Sequence, residues 1–358
     1  MKAVLVLSDG SVYYGKGFGA QAERVGELVF STGMVGYQEA LTDPSYAGQI
    51  LISTYPLVGN YGVNKDDMES DRVHVQGYVA RECCEKPNHR LSEKSLSDWL
   101  KEEEVPGIEG LDTRNIVRKI RSYGVMPAVI KTFSGSEVNL NELIAKAKEL
   151  DYSSIDFVKK VTRQKFEEHG KENKGKHIVL IDYGLKLSIL RMLLQKGVRV
   201  TIAPATATYE EIMKHEPDGI LASNGPGDPK LLGYAASTMR KLCNKLPVMG
   251  ICLGNQVLAH AFGGSTYKLK FGHRGLNHPV KDLKTGKVYI TTQNHGFAVD
   301  PKSLPKEMEV THINLNDGTV EGIRHKELPV YSVQYHPESN PGPLDSTYLF
   351  DDFIRMLK

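Results

Sequence analysis

Between His177 and Ile251 the apolar positions alternate between two patterns. His177 to Asp182, Arg199 to Ala203, Gly219 to Ala222 and Pro247 to Ile251 are near-continuous apolar runs, as expected of strands covered on both faces. Leu187 to Gln195, Tyr209 to His215 and Ala235 to Lys245 lie between them with amphipathic spacing, the first ending at Lys196-Gly197. Strand, helix, strand at this interval predicts an α/β domain built on a doubly wound, mainly parallel sheet, with ligands gathered at the carboxyl ends of the strands. Val330 to Tyr335 reads as one more strand.

The first 150 residues differ in texture. Short apolar runs at Ala3 to Leu7, Ser11 to Tyr14 and Glu27 to Phe30 are broken by turn residues, and helical patterns follow over Ser92 to Glu104 and Leu111 to Tyr123, the latter with Asp112-Thr113 as caps. These predict a β-rich α+β domain over 1–150. From 151 to 176 charge replaces apolar residues, ending in Lys171-Glu172-Asn173-Lys174-Gly175-Lys176, so a linker is expected there and a second domain over 177–358. The N-terminal apolar run is too short for a signal segment and reads as a first strand.

Composition narrows the partners. A formal charge of +2 with 40% hydrophobic and 25% charged residues is that of an ordinary globular chain, with no electrostatic footprint for nucleic acid or a membrane surface. The four cysteines, Cys83, Cys84, Cys243 and Cys252, have neither zinc-site nor disulfide-framework spacing, which fits a reducing cytoplasm.

One cysteine is placed for chemistry. Gly250 and Gly254 flank Cys252 by two residues on either side, at the turn from a strand into a helix, the spacing of a nucleophile elbow. A helix starting after Cys252 would aim free N–H groups at the sulfur and favour the thiolate; the alternative is an inert cysteine in an apolar strand. Ser223-Asn224-Gly225-Pro226-Gly227-Asp228-Pro229 follows another strand and is open to three readings: an oxyanion hole, a phosphate cradle or a structural turn. The cradle reading lacks a Gly-Lys-Ser/Thr ending. His336-Pro337-Glu338 at the end of a strand offers a base and a group to orient it, completing a candidate Cys252, His336, Glu338 triad. His273, His278 and His295 read as structural or pocket-lining, no cluster has convincing metal-ligand spacing, and Asp43-Pro44-Ser45 reads as a plain turn.

In this order, Gly-Ile-Cys252-Leu-Gly, Asn-Gly-Pro-Gly-Asp-Pro and His336-Pro-Glu338 resemble the class I glutamine amidotransferases. Thr42-Asp43-Pro44-Ser45-Tyr46, Gln293 to Val299 and Asn340-Pro341-Gly342-Pro343 are similar to the family of small, glutaminase subunits of carbamoyl-phosphate synthetases, over nearly the whole chain. The resemblance implies that Cys252 attacks the side-chain amide of L-glutamine, His336 relays protons and Glu338 orients His336. It further implies an oxyanion hole from the Leu253 and Gly225 N–H groups, with Ser45, Gly227, Gln256, Asn294, Gly296 and Phe297 holding the substrate. The chain departs from the commonest motif at Asn255, where a histidine usually stands. No Gly-rich loop with lysine or carboxylate cluster for magnesium occurs, so no cofactor is expected in this chain. ATP and magnesium would belong to a large synthetase subunit, the implied heterodimer partner receiving ammonia. Rival readings are an amidotransferase for another acceptor, a γ-glutamyl hydrolase and a non-catalytic scaffold.

Overall fold

A computed structural model describes residues 1–135 and 138–357. The chain divides into two compact units, Met1–Ile155 and Asp156–Lys358.

The first unit contains β1 (Lys2–Leu7), β2 (Val12–Gly19), β3 (Glu23–Ser31), β4 (Gln49–Ser53), β5 (Leu57–Val58), β6 (Gly77–Val79), β7 (Glu82–Cys83), β8 (Pro106–Glu109) and β9 (Met126–Phe133). Seven strands close into a barrel in the order β1-β2-β8-β6-β4-β3-β9, while β5 pairs with β7. The helices are α1 (Tyr37–Thr42), α2 (Leu96–Glu102), α3 (Thr113–Tyr123) and α4 (Leu140–Glu149). Val4, Val6 and Val129 pack with Leu143 and Ala147 of α4, while Phe18, Val29, Leu51 and Tyr78 belong to a second cluster with Leu96 and Trp99 of α2. Asp112 caps α3 through a 3.0 Å bond from the Asn115 amide, as its sequence position suggests. Closure by β1 against β9 depends on pairing such as Lys2 with Phe133, which no local pattern encodes.

In the second unit, α5 (Val158–Val161) and β10 (Glu167–His169) precede β11 (His177–Asp182), α6 (Leu187–Gln195), β12 (Arg199–Pro204), α7 (Tyr209–Met213), β13 (Gly219–Ala222), α8 (Gly233–Cys243), β14 (Val248–Ile251) and α9 (Leu253–Ala261). Then come β15 (Thr266–Asp282), β16 (Val288–Val299), β17 (Met308–Asn314), β18 (Val320–His325), β19 (Val330–Val333) and α10 (Tyr348–Met356). One ten-stranded sheet runs β10-β12-β11-β13-β14-β19-β18-β17-β15-β16. Only the centre, β12 through β19, is parallel; β10 and the long β18-β17-β15-β16 arm are antiparallel. Residues 156–176, whose composition suggests a linker, belong with this unit: β10 pairs with β12, and the Arg163 guanidinium meets the Asp182 carboxylate at 2.9 Å.

The central strands bury both faces. Val179 and Ile181 of β11 pack with residues of α7, α8 and α9, whereas Ile178 and Leu180 pack with residues of α6 and α10. Burying a side chain of this kind contributes about 1.5–3 kcal/mol, so the two-sided core fixes where the strand ends lie.

Candidate functional site

The Cys252 turn is fixed from both sides. β14 lies between β13 and β19, and the Cys252 amide donates to the Val333 carbonyl at 2.9 Å. Cys252 has φ 54° and ψ −103° immediately before α9. A non-glycine residue there costs about 1–3 kcal/mol and persists because its surroundings overdetermine it. The flanking glycines allow the close approach: a Cβ on Gly254 would stand 2.3 Å from the Ala222 carbonyl oxygen, and one on Gly250 would stand 2.8 Å from the Gly254 carbonyl carbon. Cys252 is 2% exposed, and its Sγ lies 3.5 Å from the Asn294 carbonyl oxygen.

His336 and Glu338 follow β19, and the His336 amide donates to the Thr292 carbonyl at 3.0 Å. His336 Nδ1 lies 2.6 Å from Glu338 Oε1. Burial alone would push the imidazole pKa down, but the Glu338 charge and neighbouring Cys252 raise it to about 10. Burial works against the Glu338 charge as well, yet Lys186 and His336 draw its carboxyl down to about 2. The buried pair is therefore an imidazolium and a carboxylate at neutral pH. His336 Nε2 is itself buried and makes no well-formed hydrogen bond, leaving the ring free to pass a proton beside the sulfur.

Lys186 is the residue that sequence reasoning missed. Its side chain is 4% exposed, and Nζ lies 3.1 Å from Glu338 Oε1, 2.9 Å from the Ser339 carbonyl and 3.2 Å from the Asn340 carbonyl. A lysine just before a helix carries no local signal for a partner 152 residues on.

The loop after β13 is tied to the same centre. The Asn224 side chain accepts from the Lys186 amide at 3.1 Å, and the Ser223 hydroxyl accepts from the Tyr183 amide at 3.0 Å. The Gly254 amide donates to the Ser223 carbonyl at 3.0 Å. Gly225 and Gly227 follow on this loop, and a Cβ on Gly225 would stand 2.8 Å from Leu253 Cδ2 at the start of α9. Gln256 donates from Nε2 to the Phe297 carbonyl at 2.8 Å and to Gln334 Oε1 at 3.1 Å. Asn294, Gly296 and Phe297 all lie on β16. Ser45 belongs to the first unit, buried in the turn Pro44–Tyr46, where its amide donates to Asp43 Oδ1 at 2.9 Å.

The departure at Asn255 has a structural role. Its side chain is fully buried, donates to Gln334 Oε1 at 3.2 Å and accepts from the Ser332 hydroxyl at 2.9 Å. Asn255 thus fastens α9 to the strand leading to His336.

His273, His278 and His295 belong to one polar cluster in the antiparallel arm. His273 and His295 are register partners on β15 and β16, and Asp317 and Glu321 come from the β17–β18 segment. The fold, unlike the sequence spacing, brings His273, His295 and Glu321 within reach of one metal ion.

Arranged this way, the strand ends present a sulfur on a strained turn, a charged imidazole beside it and backbone amides on neighbouring loops, a set suited to acyl transfer. Residues 5–130 match the carbamoyl-phosphate synthase small chain, CPSase domain, and residues 179–356 match glutamine amidotransferase class-I. The chain is 52% identical to the carbamoyl phosphate synthase small chain of Archaeoglobus fulgidus, covering 100% of this chain and 99% of the relative. That of Methanocaldococcus jannaschii is 52% identical, covering 99% of each chain. The Bacillus caldolyticus small chain is 49% identical, covering 100% of this chain and 97% of that one. The chain belongs to the carbamoyl phosphate synthase small chain family and carries that family's class I glutamine amidotransferase domain.

Proposed function

We propose that this chain is the glutaminase subunit of a carbamoyl-phosphate synthase, hydrolysing L-glutamine and delivering ammonia to a large synthetase subunit. The observation that carries this reading is the buried His336 held at 2.6 Å by Glu338 beside Cys252 on its strained turn. With the proton on His336, Cys252 attacks as a thiolate on the side-chain amide carbon of glutamine. Amides of Leu253 and Gly225 stabilise the oxyanion of the tetrahedral adduct. The C–N bond breaks as His336 protonates the leaving nitrogen, giving ammonia and a γ-glutamyl thioester. Water then attacks the thioester, His336 takes its proton, and collapse releases glutamate and the thiolate. Gly227, Gln256, Asn294, Gly296 and Phe297 hold the amino-acid end of the substrate, Gln256 by setting the Phe297 carbonyl.

The parallel strands, with helices packed from both faces, support reading the second unit as doubly wound. Bicarbonate, ATP and magnesium chemistry falls to the large subunit, the partner in a heterodimer. The front unit favours this acceptor over another amidotransferase partner, since residues 5–130 match the small-chain domain. Acid quenching during turnover, followed by peptide mass spectrometry, tests the reading: a γ-glutamyl adduct on Cys252 is expected. A burst of glutamate with no adduct on Cys252 overturns it.

A further inference from the structure

The cluster in the antiparallel arm is arranged as a metal site. We propose that His273 Nδ1, His295 Nε2 and Glu321 Oε1 bind a zinc-class divalent cation that pins β15, β16 and β18 together. No step of glutamine hydrolysis uses this cation.

Three features of the cluster carry the inference. The first is spacing: Glu321 Oε1 lies 3.4 Å from His273 Nδ1 and 4.0 Å from His295 Nε2, and the three residues offer ligand atoms all within 4.8 Å of one another. Ligands at zinc distances of about 2.0–2.2 Å stand roughly 3.4 Å apart in a tetrahedron, so the set closes on a cation by small side-chain shifts.

The second is the support behind each ring. His273 Nε2 faces Asp317 Oδ2 at 2.8 Å, and His295 Nδ1 faces the Phe297 carbonyl at 2.8 Å. Metal-bound histidines characteristically give their second N–H to a carboxylate or carbonyl, fixing the tautomer and turning the other nitrogen to the metal. Both rings have this arrangement, which leaves His273 Nδ1 3.4 Å and His295 Nε2 4.0 Å from Glu321 Oε1.

The third is an acceptor conflict. Gln293 Nε2 donates to Glu321 Oε2 at 2.9 Å and to Thr291 Oγ1 at 3.1 Å, which fixes the amide orientation. Its Oε1 therefore points at His295 Nε2, 2.9 Å away. With Nδ1 donating to Phe297, a neutral His295 sets its lone pair against an oxygen lone pair. A cation between them resolves the conflict and gains Gln293 Oε1 as a fourth ligand. Glu321 is 0% and Gln293 2% exposed, so the site is closed, as structural metal sites are. Asn314 Nδ2 faces two of these ligand atoms, Glu321 Oε1 at 3.0 Å and His273 Nδ1 at 3.5 Å, and moves aside on binding.

The Phe297 carbonyl links the cluster to the proposed glutamine site, because it also accepts from Gln256. A metal here would stiffen the strand that carries Asn294, Gly296 and Phe297.

The test uses the full chain with Cys252→Ser, which removes the reactive thiol as a competing zinc ligand. It is expressed in zinc-supplemented medium and passed through chelator-containing gel filtration before elemental mass spectrometry. About one zinc per chain is expected to remain. Glu321→Gln removes a ligand, and Asp317→Asn, at a 41% exposed side chain, removes only the support of His273. Each should weaken zinc affinity at least about tenfold in chelator competition, the usual loss when a supporting partner is removed. If Glu321→Gln does not fold, Asp317→Asn decides. A chain that retains no zinc, or an Asp317→Asn variant that binds it as tightly as the parent, overturns the proposal.

Discussion

His336 bears opposing environmental effects. Its folded pKa near 10 lies above the ordinary 6.5, so its contribution to stability is complete below pH 6.5 and is lost as pH rises through about 10. Glu338 behaves oppositely: its contribution is present above its ordinary 4.5 and is lost as pH falls through about 2. Urea unfolding of the wild type should therefore show stability declining between pH 6.5 and 10, and His336→Asn should flatten that decline. Glutaminase activity should hold through neutral pH and fall along an alkaline limb approaching 10, where the imidazolium is lost. An alkaline limb centred near 6.5 would contradict this charge state. Lys186 shares the Oε1 oxygen of Glu338 with His336 and so sets the balance. Lys186→Met removes one of the two cations that hold the buried Glu338 carboxylate, which costs up to about 3–5 kcal/mol, and kcat should fall more than KM rises. Pairing it with Glu338→Gln should recover much of the stability in a double-mutant cycle but not the activity.

At the level of the element, the strand–turn–helix around Cys252 trades stability for geometry. Cys252→Gly should be more stable than Cys252→Ala by about 1 kcal/mol, because glycine accepts positive φ without strain; thermal or urea unfolding checks this, and both variants should be inactive. Gly254→Ala should cost about 1–3 kcal/mol by forcing a Cβ against the Ala222 carbonyl. Such elements could be read from sequence because their signals are local: paired glycines around Cys252, a near-continuous apolar strand, and Leu187–Gln195, whose bounds agree with the expected helix. Contacts between distant segments carry no such local signal. The motifs single out Cys252, His336 and Glu338 as partners without placing them, whereas Lys186 on Glu338 and the three-strand His273, His295, Glu321 cluster join residues that no motif connects. The antiparallel arm was missed for a related reason: β15 and β16 carry mixed polar residues at buried positions, so neither a period of two nor a continuous apolar run marks them.

For the whole molecule, two units with separate cores follow from two textures in the sequence, a barrel up to Ile155 and a sheet domain after it. The charged stretch before His177 contributes an edge strand and an Arg163–Asp182 ion pair, because a polar segment can pair its backbone at a sheet edge without apolar side chains. Among the described residues, no helix is long and apolar enough to cross a membrane. Glutamine hydrolysis in this chain and carbamoyl phosphate formation in a partner are proposed as separate events joined by ammonia. The most direct test is to reconstitute the Cys252→Ser chain with its large subunit and measure carbamoyl phosphate synthesis from glutamine and, separately, from free ammonia. Synthesis from glutamine should be lost while synthesis from ammonia continues at the wild-type rate; undiminished synthesis from glutamine, or loss of both, would contradict the assignment.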